Sequence, residues 1–262
     1  MVPRFAKRFA KSSLSTLGYS FLDLRKNNDL SVFLPGHLKA LLSRLKINCV
    51  IDVGANVGQY GRMLRRIGYE GRIFSIEPVS EIFEKLRAAA AGDDEWITLK
   101  KGCGSTEETR SINIFPKSAL NSFLPPSPNM HTLDPGCPVE RTETVDVIRL
   151  ETLLDGILSG IDHPRVFLKI DCQGLDLEVL KGLGAGISKV DGLQSEVSAI
   201  PLYLGVPDYL DFLSFCRNLG FEPTGFFPVV NSPTGGHLME CDAVLIRRHW
   251  TQVENALAES IQ

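Results

Sequence analysis

Four acids stand where a chain of alternating strands and helices would bring chemistry together: Asp52, Glu77, Asp171 and Glu196. Asp52 lies inside the apolar run Cys49 to Val53, Glu77 follows Arg72 to Ile76, Asp171 follows Val166 to Ile170, and Glu196 lies near the end of Val190 to Val197. Carboxylates at the carboxyl ends of parallel strands can accept sugar hydroxyls, pair with an ammonium or take a proton. The first run enters a turn bracketed by Gly54 and Gly58, and an apolar-periodic helix (Val57, Tyr60, Met63, Leu64, Ile67) follows. A strand, a glycine turn and a helix N-terminus together present backbone N–H groups to an anionic or polar ligand. The pattern is that of a nucleotide-type cofactor site. Glu77, 23 residues after Gly54, is placed to accept both ribose hydroxyls, and Pro78 ends its strand.

A dinucleotide fingerprint needs a bare middle glycine so that the backbone can approach a pyrophosphate. That position is Asn56, and the third glycine is replaced by Gln59, which disfavours a nicotinamide-dependent oxidoreductase. The spacing Gly54-x-Asn56-x-Gly58 instead resembles the loop with which methyltransferases cradle the methionine half of S-adenosylmethionine. Asp52-Val-Gly-Ala-Asn-Val-Gly with Glu77-Pro78, Lys169-Ile-Asp-Cys-Gln-Gly and Glu240-Cys-Asp-Ala-Val-Leu together resemble the FkbM family of S-adenosylmethionine-dependent methyltransferases, in register from about Leu38 to Arg248. The sequence departs from the family at Gln173 and Asp176, where Glu is common.

The resemblance implies an α/β, Rossmann-like class I methyltransferase fold: a mostly parallel seven-stranded sheet with an antiparallel edge hairpin and helices on both faces. It implies S-adenosylmethionine as cofactor, held by Asp52, Gly54, Ala55, Asn56, Gly58, Tyr60, Glu77, Pro78 and Asp171, with Gly102 and Cys103 near the adenine. The activity it implies is methylation of a hydroxyl on a small molecule, sugar or glycan, in the cytoplasm. Asp171, Glu196 and His131 are the candidate catalytic groups. Asp171 has three readings: binding the cofactor's ammonium, accepting the substrate's proton, or capping the following helix. A divalent ion on Asp171 and Glu196 is disfavoured, because no third close oxygen ligand stands out, and no metal is expected. A lone loop histidine such as His131 or His237 is more often solvated surface than a general base.

The elements that position these groups read as follows. A helix over Leu38 to Leu45 precedes the first strand, and another over Val79 to Ala91 follows Glu77. Trp96 to Lys100 is a strand, and Ser111 to Phe115 should pair with Thr142 to Leu150. Between them, the proline-rich 116–140 reads as a lid-like insertion with Asn121 and Ser122 on its cofactor side. Helices are expected over Thr152 to Leu158, Leu175 to Leu183 and Asp208 to Leu219. Phe221 to Val230 and Met239 to Arg247 suit a hairpin at one sheet edge, and Tyr203 is a candidate pocket residue. The domain organisation expected is an N-terminal helical extension (1–37), a methyltransferase domain (38–248) and a C-terminal helix (249–262).

The 262 residues are 44% hydrophobic and 23% charged, ordinary for a globular chain, and the formal net charge of −3 offers no basic field for nucleic acid. Six dispersed cysteines without a C-x-x-C pair read as buried free thiols in a reducing compartment. No apolar run is long enough for a transmembrane helix. Arg4, Lys7, Arg8 and Lys11, with Phe5, Phe9, Leu17 and Phe21 at helical spacing, suit either a membrane-surface or targeting helix or one that caps the sheet or joins a homo-oligomer interface; the second is favoured. A methyltransferase fold retained only for binding is the remaining alternative.

Overall fold

The computed structural model describes residues 33–134, 136–233 and 235–248. The expected N-terminal basic helix and C-terminal helix lie outside the described residues.

The chain opens with α1 (Leu34–Arg44) and enters β1 (Cys49–Val53), which is buried along its whole length. α2 (Gln59–Arg66), β2 (Arg72–Ile76), α3 (Ser80–Ala90) and β3 (Trp96–Leu99) follow. A short β4 (Gly102–Cys103) and β5 (Glu108–Ile114) lead into the proline-rich segment and its helix α4 (Pro128–Leu133). After β6 (Arg141–Ile148) come α5 (Leu150–Leu158), β7 (Val166–Ile170), α6 (Asp176–Gly182), β8 (Val190–Ser198), α7 (Tyr209–Asn218), β9 (Phe221–Asn231) and β10 (Leu238–Arg247).

Seven strands form one sheet in the order β3-β2-β1-β7-β8-β10-β9. The first five are parallel, and β10 runs antiparallel between β8 and β9. Strand order reverses between β1 and β7, so the crevice beyond their carboxyl ends is where an open α/β sheet binds ligands. Alternation along the strands divides two cores. Cys49, Ile51 and Val53 of β1 face Leu150, Leu154, Val179 and Phe212 of α5, α6 and α7. Val50 faces the opposite way, towards Leu38, Leu64 and Leu86 of α1, α2 and α3. This is the expected fold, with helices on both faces.

A second, three-stranded sheet has the order β4-β6-β5. The antiparallel pairing of β5 and β6 matches the sequence reading, whereas the Gly102-Cys103 turn is itself a strand, parallel to β6. The 116–140 insertion is also more ordered than a bare loop. A 3-10 turn (Ser118–Leu120) and α4 punctuate it, bridges Asn113↔Ser122 and Pro126↔Tyr203 tie it down, and Met130 is buried with Tyr203, Leu202 and Met239. Ser127 caps α4 by accepting from the Asn129 N–H, and Pro128 starts the helix where no N–H is needed.

Candidate active site

The turn after β1 is built by close approach of two strand ends. Gly54 has φ +75°, and a Cβ there would lie 1.9 Å from the Asp171 carbonyl oxygen. Only glycine lets β1 and β7 release their chains side by side. The backbone N–H groups of residues 54–58 are engaged. Gly54 and Ala55 both donate to the Ile76 carbonyl at 3.0 Å, Asn56 donates to Glu77 Oε2 at 3.0 Å, and Gly58 donates to the Ala55 carbonyl. The Val57 N–H donates to Asn56 Oδ1, which also accepts from Ser118 of the insertion at 3.0 Å. Gly54, Asn56 and Gly58 are all left-handed, and the donors of residues 54–56 are taken up by the end of β2.

Glu77 follows β2 and is only 6% exposed. Its Oε2 accepts from Asn56 and its Oε1 from the Val79 N–H at 3.0 Å, so one carboxylate ties the β1 turn to the start of α3. Burial pushes Glu77 up to about 7, although both N–H donors pull the other way. Each oxygen retains a lone pair for a hydroxyl donor.

Beneath the crevice runs a buried polar row that sequence reading divided among separate strands. Asp52 aligns with Ser75 on β2 and with Lys169 on β7. The Trp96 indole donates to Ser75 at 3.0 Å, Ser75 donates to Asp52, and Lys169 Nζ stands 3.1 Å from Asp52 Oδ1. Tyr60 donates to Gln194, whose amide donates to Asp242 at 2.9 Å. Lys169 also reaches Asp171 Oδ2 at 3.4 Å and donates to the Gly54 carbonyl at 3.3 Å. Burial works against its charge, but Asp52 and Asp171 outweigh it and hold the ammonium above its ordinary range. Burial pushes Asp52 upward, and Lys169 pulls it back.

Asp171 and Glu196 meet through a third residue. One Gln173 amide nitrogen donates to Asp171 Oδ1 and to Glu196 Oε2, both at 2.9 Å. Burial, then Asp171, Glu240, Asp176 and Asp242, drives Glu196 well above the carboxylate range. Asp176 does not reach the cleft: it accepts from Ser195 and from the Cys172 N–H, and burial raises it to about 7.

A cleft of about 210 Å³ collects Gly54, Asn56, Glu77, Pro78, Gly102, Cys103, Asp171 and Glu196 in its lining. Asn121 lies on it too, while Ser122 is buried and donates to the Gln173 carbonyl at 2.7 Å. Asp52 and Tyr60 lie beneath the cleft in the polar row, and Gly58 packs towards Trp96 and Leu86. Ala55 is buried. Tyr203 is a core residue whose hydroxyl reaches Gln173 Oε1 at 3.0 Å. His131 falls within α4, and its side chain lies outside the described residues. Asp242 aligns with Glu196 across β8 and β10. Among the described residues no three His, Cys, Asp or Glu side chains converge as metal ligands.

Sequence reading gave no role to Lys169 and noted Gln173 only as a departure. The signal for Lys169 was present, since a lysine inside the apolar strand Val166-Phe-Leu-Lys-Ile must be paired. Nothing local marked Gln173 as a bridge, because one of its partners is 23 residues away.

Comparison with known proteins decides the family. The pattern described as the Methyltransferase FkbM domain matches residues 52–223. The chain belongs to the FkbM methyltransferase family. Among curated proteins, Methyltransferase sdnD of Sordaria araneosa is 26% identical over 155 residues, covering 51% of this chain and 60% of that protein. Solved structures with a similar fold include Aeropyrum pernix fibrillarin with bound S-adenosyl-L-methionine (11% identity, TM-score 0.43, 80% of this chain and 74% of that one). Magnesium protoporphyrin IX methyltransferase from Synechocystis PCC 6803, also with bound cofactor, is similar at 12% identity and TM-score 0.43, over 86% and 82% of the two chains.

S-adenosylmethionine is the cofactor of this FkbM chain, and the cleft's chemistry fits it. Buried Glu77 offers acceptor lone pairs, Asp171 offers a partly exposed carboxylate, and Ile112, Phe123 and Cys103 supply apolar wall.

Proposed function

We propose that the protein transfers the methyl group of S-adenosylmethionine to a hydroxyl oxygen of a small molecule, sugar or glycan. The observation that carries this reading is the convergence of Glu77, Gly54 and Asp171 on one cleft wall, with Asp171 held between Lys169 and Gln173. The bound cofactor supplies an activated methyl on a positively charged sulfur. Glu77 would accept the ribose hydroxyls with the lone pairs that Asn56 and Val79 leave unused. Ile112 and Phe123, near Gly102 and Cys103, would face the base. Asp171 would either pair with the amino group or take the proton of the acceptor hydroxyl, a step that requires the oxygen to be held in line with the departing carbon–sulfur bond. The insertion, through Ser118, Ala119, Asn121 and Phe123, would exclude water from the reacting atoms.

One lysine, Lys101, and no arginine line the cleft among the described residues. That balance favours a neutral, hydroxyl-bearing acceptor over a polyphosphate such as nucleic acid. The test is transfer of a labelled methyl group to candidate polyols and sugars, paired with thermal stabilisation by S-adenosylhomocysteine against NAD. Stabilisation by NAD alone would defeat the methyltransferase reading. Asp171→Asn separates the two roles: a loss of S-adenosylhomocysteine affinity marks the amino-group partner, and a turnover loss of about 100-fold or more with affinity intact marks the proton acceptor. Wild-type behaviour on both counts would leave Asp171 a structural turn residue.

A further inference from the structure

One side chain makes more contacts than the scheme above uses. Gln173 sits three residues beyond the β7 end with φ +47°, a left-handed conformation that is uncommon for a residue carrying a side chain. Its amide nitrogen donates to Asp171 Oδ1 and Glu196 Oε2, each at 2.9 Å. Its amide oxygen accepts from Tyr203 at 3.0 Å, and its backbone carbonyl accepts from Ser122 at 2.7 Å. The same Tyr203 hydroxyl lies 2.8 Å from the Leu120 carbonyl, within the insertion over the cleft. The single Tyr203 proton is shared between the Leu120 carbonyl and Gln173 Oε1, while the Gln173 amide nitrogen faces the two acids.

We infer that Gln173 is the positioning residue of this site, its single amide clamping Asp171 and Glu196 as a pair and coupling that pair to the insertion through Tyr203 and Ser122. The inference deepens the methyl-transfer reading and rests on it for its functional meaning. An amide is suited to this place because it donates twice without adding charge. A carboxylate in its position would meet two other carboxyl groups at hydrogen-bond distance, and such a group must gain a proton or repel. The surroundings leave little to absorb further negative charge. Lys169 faces Asp171 from β7, while Asp176 on α6, Glu240 and Asp242 on β10 and the Tyr203 phenol complete the shell around Glu196.

The test uses the full chain without acceptor. The Glu196 carboxyl is followed by carbon-13 NMR across pH, its signal assigned by Glu196→Gln, in wild type, Gln173→Glu and Gln173→Met. Both substitutions at position 173 nearly preserve side-chain size. The Glu196 signal should titrate at least about one pH unit higher in Gln173→Glu, a tenfold gain in proton affinity, and by a smaller amount in Gln173→Met. An unchanged Glu196 titration in Gln173→Glu would overturn the inference, as would loss of cofactor affinity and thermal stability without any change in that titration. Should Gln173→Met fail to fold, Gln173→Glu decides alone. Wild-type protein that binds no S-adenosylhomocysteine would refute the methyl-transfer reading instead, a result distinct from the titration.

Discussion

Lowering the pH should loosen the protein's hold on its cofactor, and Glu77 sets by how much. Burial raises this carboxyl to about 7 in the free protein. Ribose hydroxyls donating to it favour the ionised form, so binding selects the fraction of molecules in which Glu77 is charged. A group that titrates near 7 is about 10% ionised at pH 6 and about 90% at pH 8. The dissociation constant for S-adenosylhomocysteine should therefore be about tenfold weaker at pH 6, or about 1.4 kcal/mol. Calorimetry from pH 5.5 to 8.5 reads this directly, with the slope confined to the acid side and a plateau above about pH 8. Glu77→Gln should abolish the slope. It should also weaken the site at every pH, because Oε1 and Oε2 each accept a backbone N–H and an amide can offer an acceptor to only one of them. The stranded N–H costs about 1–3 kcal/mol. A flat wild-type profile, or a Glu77→Gln variant that keeps the slope, would refute the assignment of Glu77 to the ribose.

Three further outcomes follow from the geometry. Lys169→Met should destabilise the fold by about 3–5 kcal/mol in urea unfolding, because Asp52 is fully buried and loses its counter-charge; adding Asp52→Asn should recover at least about half, and no recovery would show that the ammonium acts mainly through other contacts. Asp176 and Glu240 are raised to about 7, so the folded state holds protons that the unfolded state has released between about pH 4 and pH 7. Stability should accordingly fall as pH rises through that window and level off above 7; a thermal midpoint that climbs steadily from pH 5.5 to 8 would contradict it, and Asp176→Asn should flatten the fall. Gly54→Ala should lower the thermal midpoint by several degrees, since its Cβ would overlap the Asp171 carbonyl and the backbone there is left-handed, costing upwards of about 2 kcal/mol; an unchanged midpoint would mean that β1 and β7 can separate freely at the cleft.

Much of the frame was legible in the chain. The runs at Cys49–Val53, Arg72–Ile76 and Val166–Ile170 became strands with those bounds, because a strand inside a parallel sheet is written as a short, mostly apolar segment. Gly54, Glu77 and Asp171 reach the cleft for the same local reason: each follows directly on such a run, and parallel strands end on one side. What the residues do there was decided by tertiary structure. The turn after β1 shows N–H donors in sequence, but those of residues 54–56 are taken by the strand beside it, which brings the Ile76 carbonyl and Glu77 within reach. Lys169 meets Asp52 only through the β1–β7 register, which joins residues more than a hundred positions apart. Gln173 becomes a bridge only because β7 and β8 deliver Asp171 and Glu196 to adjacent ends while the insertion brings Tyr203's partner over them. Hydrophobic period and glycine placement are properties of neighbours along the chain, and they fixed the elements. Charge state and hydrogen-bond partnership are properties of neighbours across strands, and only packing assigns those.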